Sequence, residues 1–282
     1  MSEKVKVGLC LGGGAALGMA HIGFIDELFK NGVDIDMIAG TSIGALVGGL
    51  YAVGISTDFM VEKLADFRRS RIMDINPFAL TFAKDGLVLG KRVVKYLNQF
   101  IKDKTFKDTK IPLRLIACDL VKGERVIIKS GNLTEAIRAS ISVPGMFVPV
   151  KKGKRILVDG GIVDNLPVGV VRDIGADIVI SVDLHSAYTP DGSLDKFLNI
   201  GLSAVSLMLK TMVDLTVDKG DVHVKVKQPD VSAMKFNREE IERGIEYGRQ
   251  AAYDYMEEIK CKIAEKQKEL DKPQVKQIAR AR

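Results

Sequence analysis

Residues 5–54 read VKVGLCLGGGAALGMAHIGFIDELFKNGVDIDMIAGTSIGALVGGLYAVG. A short apolar run at 5–11 leads into Gly12-Gly13-Gly14, and a helical pattern follows to Phe29 and stops at Asn31-Gly32. A second run, Asp36-Met37-Ile38-Ala39, ends at Gly40, and a helix-like stretch from Ile43 to Val53 is closed by Gly54. Strand, loop, helix, strand, turn and helix in this order form the unit that builds a parallel sheet. Sheets of that kind collect functional loops at the carboxyl ends of their strands, and both Gly-rich turns fall there.

The alternation continues down the chain. Ile111–Leu120 reads as a strand, Lys122-Gly123 as a turn and Arg125–Lys129 as the partner strand. Asn132 or Thr134 caps a helix through Ile141, and Arg155–Val158 is a strand ending at Asp159-Gly160-Gly161. Leu166–Ile174 precedes Ile178–Leu184, an apolar run typical of a central strand. Leu194–Leu215 is an amphipathic helix, Val222–Val226 a further strand, and Arg238–Leu270 a long helix that becomes charged. Residues 55–110 mix apolar and basic side chains and are expected to form helices at one edge of the sheet, capping a site. With no internal repeat and no low-complexity linker, the expectation is a three-layer α/β/α domain with a mostly parallel central sheet.

Composition narrows the function. The chain has 282 residues, 46% of them hydrophobic, and a net charge of +6, which excludes a disordered chain or a disulfide-stapled miniprotein. Residues 259–282 hold eight Lys/Arg against three acids, so five of the six net charges sit in that segment. A nucleic-acid groove is therefore not implied, and the natural division is a domain at 1–258 followed by a basic helix or tail at 259–282. Three dispersed cysteines and three histidines make no metal pattern, and Cys10 and Cys118 read as small buried hydrophobes. The absence of a leader pattern and of an 18-residue apolar stretch predicts a cytoplasmic protein.

Chemistry enters at Gly40-Thr41-Ser42-Ile43-Gly44. A nucleophilic serine at a sharp strand-to-helix turn needs small residues two positions to either side, and the following helix favours developing negative charge at its amino end. With 27 glycines the spacing alone is unremarkable; its placement between strand and helix carries the inference. The loop Leu11-Gly12-Gly13-Gly14-Ala15-Ala16-Leu17-Gly18 matches neither a dinucleotide fingerprint nor a P-loop. Its amides are better used as an oxyanion hole, because adjacent parallel strands bring both turns to one edge. Two bases fit the serine. His185 follows the strand Ile178–Leu184 and would complete Ser42, Asp159 and His185 as a triad. Alternatively Asp159, at a strand end before two glycines, takes the proton directly if burial raises its pKa. His21 and His223 read as structural residues.

Taken together, these blocks resemble the patatin-like phospholipase family over residues 5–185, most closely its compact bacterial members. A fourth block, Ala139-Ser140-Ile141-Ser142-Val143-Pro144, agrees with the family's Ala-Ser-x-x-x-Pro. The resemblance implies a Ser42–Asp159 dyad without a histidine, an oxyanion hole at Gly13, Gly14 and Ala15, and an elbow framed by Gly40 and Gly44. Gly12, Gly160, Ser140 and Pro144 would support it, and no metal or organic cofactor would be needed. The implied activity is hydrolysis of fatty-acyl esters of lipids, of the phospholipase A or lysophospholipase type. Weak contact of the basic tail with an anionic membrane surface would accompany it. Ala15 and Leu17 depart from the family loop, which usually carries glycine and then arginine or lysine there. That departure keeps a non-catalytic binding protein on the same scaffold open, beside the His185 triad esterase.

Overall fold

The computed structural model of the protein describes residues 3–65, 88–184, 197–216, 218–233 and 235–272. Its strands are β1 (Val7–Leu11), β2 (Met37–Thr41), β3 (Leu113–Asp119), β4 (Glu124–Ile128), β5 (Val150–Lys152), β6 (Arg155–Asp159), β7 (Ile178–Asp183) and β8 (Val222–Lys225). Its helices are α1 (Ala20–Lys30), α2 (Ile43–Ala52), α3 (Thr57–Ala65), α4 (Lys91–Ile101), α5 (Leu133–Ser140), α6 (Val168–Ile174), α7 (Phe197–Leu215) and α8 (Arg238–Leu270).

Among the described residues one eight-stranded sheet runs in the order β5-β6-β3-β2-β1-β7-β8, with β4 paired to β3. Strands β3, β2, β1, β7 and β8 are parallel, whereas β4, β5 and β6 pair antiparallel. The central strands β1, β2 and β7 are buried at every residue, as strands covered on both faces must be. Alternate residues serve opposite layers. Leu9 and Leu11 join the large core beneath α1, α2 and α8, while Cys10 joins Met37, Ala39 and Val179 under α6. Cys10 and Cys118 are thus buried small hydrophobes, as read from their apolar runs. Edge strand β4 is half-exposed and β5 has only three residues, a Val followed by two exposed lysines, so β5 left no apolar signature in the sequence.

The helix expected directly after Gly14 is divided. Ala15–Met19 forms a 3₁₀ turn in which Leu17 N donates to Gly14 O, and the α-helix starts only at Ala20. Residues 55–110 contribute α3 and α4; the intervening 66–87 lie outside the described residues, as does His185. Helix α8 crosses α1 so closely that a methyl on Gly248 would lie 1.9 Å from Ala20 O. It continues without a break past residue 258: Ile259 is fully buried, and Gln267 bonds Val5 N and Glu3 O at 3.1 Å each. Among the described residues no helix is long and apolar enough to cross a membrane.

Candidate active site

Strand β2 ends at Thr41, and the next residue, Ser42, has φ +55° and ψ −122°. That backbone is outside the region L-residues favour, and such strain, of order 1–3 kcal/mol, persists only where the surroundings over-determine it. Here they do. A methyl on Gly40 would lie 2.5 Å from Gly44 O, and one on Gly44 would lie 2.2 Å from Leu11 O. The Ser42 carbonyl takes the amides of Ala45 and Leu46, starting α2. Its own amide donates to Ser140 Oγ at 2.9 Å, and that buried hydroxyl donates onward to Ile116 O at 2.5 Å. Ser140 therefore clamps the elbow to β3.

The meeting of Ser42 with Asp159, 117 residues away, follows from how β3 shares one edge. Thr41 is the last β2 residue on that edge, opposite Ile116. On the same edge β6 takes over, running antiparallel, with Asp159 opposite Ala117. The strand that leaves and the strand that arrives thus place their ends at consecutive positions of β3. Ser42 Oγ donates to Asp159 Oδ2 at 2.5 Å, and Gly161 N donates to Asp159 Oδ1 at 2.8 Å. Asp159 N is held by Ser142 O at 2.9 Å, and Gly160 passes against the Ile116 carbonyl. Burial lifts the Asp159 carboxyl to a pKa of about 6, against the opposing effect of the bonds from Ser42 and Gly161. A hydroxyl donating to such a carboxylate can pass its proton to it.

The Gly-rich loop lies beside the serine, since a methyl on Gly13 would sit 3.2 Å from Ser42 Cβ. Its amides are not equivalent. Gly12 N donates to Val182 O at 3.2 Å and Gly13 N to Asn165 O at 3.3 Å. The amides of Gly14 and Ala15 meet no acceptor among the described residues. Of the three donors expected from the sequence, Gly13 is thus already engaged. Ala15 has φ +50°, a left-handed backbone that costs an alanine roughly 1–2 kcal/mol and that the usual family glycine would adopt freely.

His21, read as structural, is buried and donates from Nε2 to Gly12 O at 2.8 Å; burial lowers its pKa to about 4, so the ring stays neutral. It fixes the entry to the loop, a role that its apolar helix face did not disclose. His223 contacts Ser181 Oγ through Nδ1 at 2.9 Å. Among the described residues neither ring bonds Ser42 or Asp159. Pro144 lies exposed in the turn beyond α5, where Val143 O takes the amides of Met146 and Phe147. Sequence reasoning missed Arg138, buried on α5, which donates to Ser142 Oγ, Leu89 O and Val148 O and so braces the turn that holds Asp159. A basic residue in the apolar pattern of a helix was the available signal. Helix α7 reaches the site through Leu209, whose Cδ2 would lie 3.3 Å from a methyl on Gly161.

A profile of the patatin-like phospholipase family matches residues 9–172, which include the Gly-rich loop, Ser42, Ser140 and Asp159. An uncharacterised NTE family protein of Mycobacterium tuberculosis is 34% identical over 186 residues, 66% of this chain and 51% of its own length. The chain spans about half the length of the mycobacterial relatives it matches. VipD of Legionella pneumophila shares the fold with a TM-score of 0.53 at 16% identity, over 91% of this chain and 67% of that one. Human GIVD cytosolic phospholipase A2, solved with methyl γ-linolenyl fluorophosphonate, also reaches 0.53, at 10% identity over 94% and 59%.

Proposed function

As this chain belongs to the patatin-like phospholipase family, we propose that it is a carboxylic ester hydrolase that cleaves fatty-acyl esters of lipids through a Ser42–Asp159 dyad. The observation that carries the reading is the 2.5 Å hydrogen bond from Ser42 Oγ to a buried carboxylate titrating near 6. Asp159 takes the hydroxyl proton as Ser42 Oγ attacks the ester carbonyl. The amides of Gly14 and Ala15 receive the oxyanion, helped by the amino end of α2. Asp159 then passes its proton to the departing alcohol, leaving an acyl-enzyme. Water that gives its proton to Asp159 attacks the acyl carbonyl; collapse frees the fatty acid and returns the proton to Ser42. The Gly161 amide keeps one carboxylate oxygen occupied, so the other stays on Ser42. Leu209 of α7 supplies apolar wall for the acyl chain.

A panel of acyl esters, phospholipids and lysophospholipids tests the activity, with fluorophosphonate labelling of the serine. The wild type is expected to turn over at least one ester class and to be labelled, and Ser42→Ala to do neither while unfolding at the same temperature. His185→Ala is expected to keep near-normal turnover; a loss as large as that of Ser42→Ala would replace the dyad by a triad.

On this reading residues 1–258 carry the hydrolase and 259–282 form a basic extension, in a cytoplasmic protein that touches membranes peripherally. Ion pairs Lys262–Glu265 (3.4 Å) and Lys266–Glu269 (3.2 Å) offset part of the extension's charge. Truncation at 258 would also break α8, so charge removal is the cleaner test. Lys260, Lys262, Lys266 and Lys268 replaced together by Gln should weaken binding to anionic vesicles at low salt, at about 1 kcal/mol per lysine that reaches the surface. Unchanged binding at both low and high salt would dismiss the extension as a membrane contact.

A further inference from the structure

The family match stops at residue 172, yet the oxyanion loop is held from well beyond it. After β8 the chain returns across the 3₁₀ turn as a strap, Gln228–Ala233. Gln228 is 8% exposed and donates from Nε2 to Leu17 O at 3.1 Å, and Ala233 O takes the amide of Ala16 at 3.0 Å. The strap is itself fixed on α8. Ser232 N donates to the buried carboxylate of Glu240 at 3.0 Å, and Asp230 accepts from Arg243 at 3.1 Å and Tyr247 at 2.6 Å. Gln228 is wedged at that junction: a methyl on Gly244 of α8 would lie 3.5 Å from its Oε1 and 3.4 Å from Met19 Cβ. Both loop contacts fall on the two residues directly after Ala15.

We infer that this strap is a positioning device for the oxyanion hole, with Gln228 as its principal side chain. The inference rests on the dyad hydrolase reading and adds to it the means by which the loop is shaped. The physical need is clear from Ala15. Its left-handed backbone (φ +50°) is disfavoured for an alanine on the order of tenfold in population, so the turn would relax unless outside contacts held it. Relaxation would rotate the peptide planes on either side of Ala15, one carrying the Ala15 amide that meets no acceptor among the described residues and the other the Ala16 amide that the strap holds. The strap fixes the Ala16 amide and the Leu17 carbonyl, the groups that such a rotation would displace. A family loop with glycine at this position would need no such restraint, and in this chain the strap substitutes for it.

Gln228→Met keeps the side-chain length and removes the donor; Gln228→Asn keeps the amide and shortens its reach. Both are expected to lower kcat about tenfold with KM unchanged, less than the 10²–10³-fold cost of deleting an oxyanion donor. Affinity for a trifluoromethyl ketone, which forms an oxyanion on Ser42, should fall in proportion, while product binding should not. Adding Ala15→Gly to Gln228→Met should restore most of the lost rate, which a general loosening of the fold would not allow. Amide hydrogen exchange at 14–17 should accelerate in both single variants, a reading independent of turnover. Unchanged exchange and unchanged kcat, with melting temperatures as in the wild type, would overturn the strap. An inactive wild type whose exchange still responds to Gln228 would instead overturn the hydrolase reading and leave the strap's hold on the loop standing.

Discussion

Asp159→Asn is expected to lower ester turnover on the order of 10³-fold and, at pH 8, to make the protein more stable than it is at pH 4 relative to wild type. Both effects come from one buried carboxylate. As the proposed base for Ser42, Asp159 would work only when ionised, and burial has raised its pKa from 3.8 to about 6. The wild-type kcat/KM should therefore fall about tenfold per pH unit below 6, where an ordinary aspartate would hold activity to about 4. The stability effect has the opposite sign. Below 3.8 the group is protonated folded or unfolded, and burial costs nothing extra. As pH rises through the interval from 3.8 to about 6, folding must retain a proton or bury a charge, and above 6 the full cost of about 3 kcal/mol is present. Asparagine carries no charge to desolvate. The stability difference between variant and wild type should thus shift by about 2 kcal/mol in the variant's favour between pH 4 and pH 8, measured by urea unfolding. A difference independent of pH, or an activity limb near 4, would remove Asp159 from the role of base.

Much of this site was legible before the fold was known, for identifiable reasons. The elbow was visible because its geometry leaves no room for side chains at Gly40 and Gly44, and composition records such exclusions directly. The strands that carry it are buried on both faces and so read as unbroken apolar runs. What could not be read was how β3 shares an edge, since register along a third strand leaves no mark on the sequences of β2 and β6. The serine and the aspartate were legible singly, and their contact was not. The backbone of Ala15 was illegible for another reason: left-handed geometry announces itself through glycine, and here an alanine is held there by contacts from residues 228–233. Those contacts use a backbone amide, two carbonyls and one glutamine, which carry no periodic signal.

The second large effect concerns the joint between the two halves of the site. A methyl on Gly44 would lie 2.2 Å from Leu11 O and 2.8 Å from Gly12 O, both backbone atoms where β1 passes into the Gly-rich loop. Nothing flexible can move aside, so Gly44→Ala must push the amino end of α2 away from β1. That displaces Ser42 from the loop that would hold the oxyanion, and it opens the packing of α2 on the sheet. Overpacking of a rigid site costs about 1–3 kcal/mol and more when backbone must shift, so a loss of about 3 kcal/mol is expected. Turnover should fall at least 10²-fold in the fraction that folds, because a misplaced oxyanion donor is as costly as a missing one. Gly169 supplies the comparison on the opposite face of the sheet. It lies in α6, and a methyl there meets nothing within 4 Å. Gly169→Ala should therefore stabilise by about 0.5–1 kcal/mol through helix propensity and leave turnover untouched. Denaturant midpoints moving in opposite directions for the two alanines would show that close approach at the elbow, rather than the loss of a glycine as such, holds the serine to its loop. Equal tolerance at both positions would mean that β1 and α2 are not locked together there.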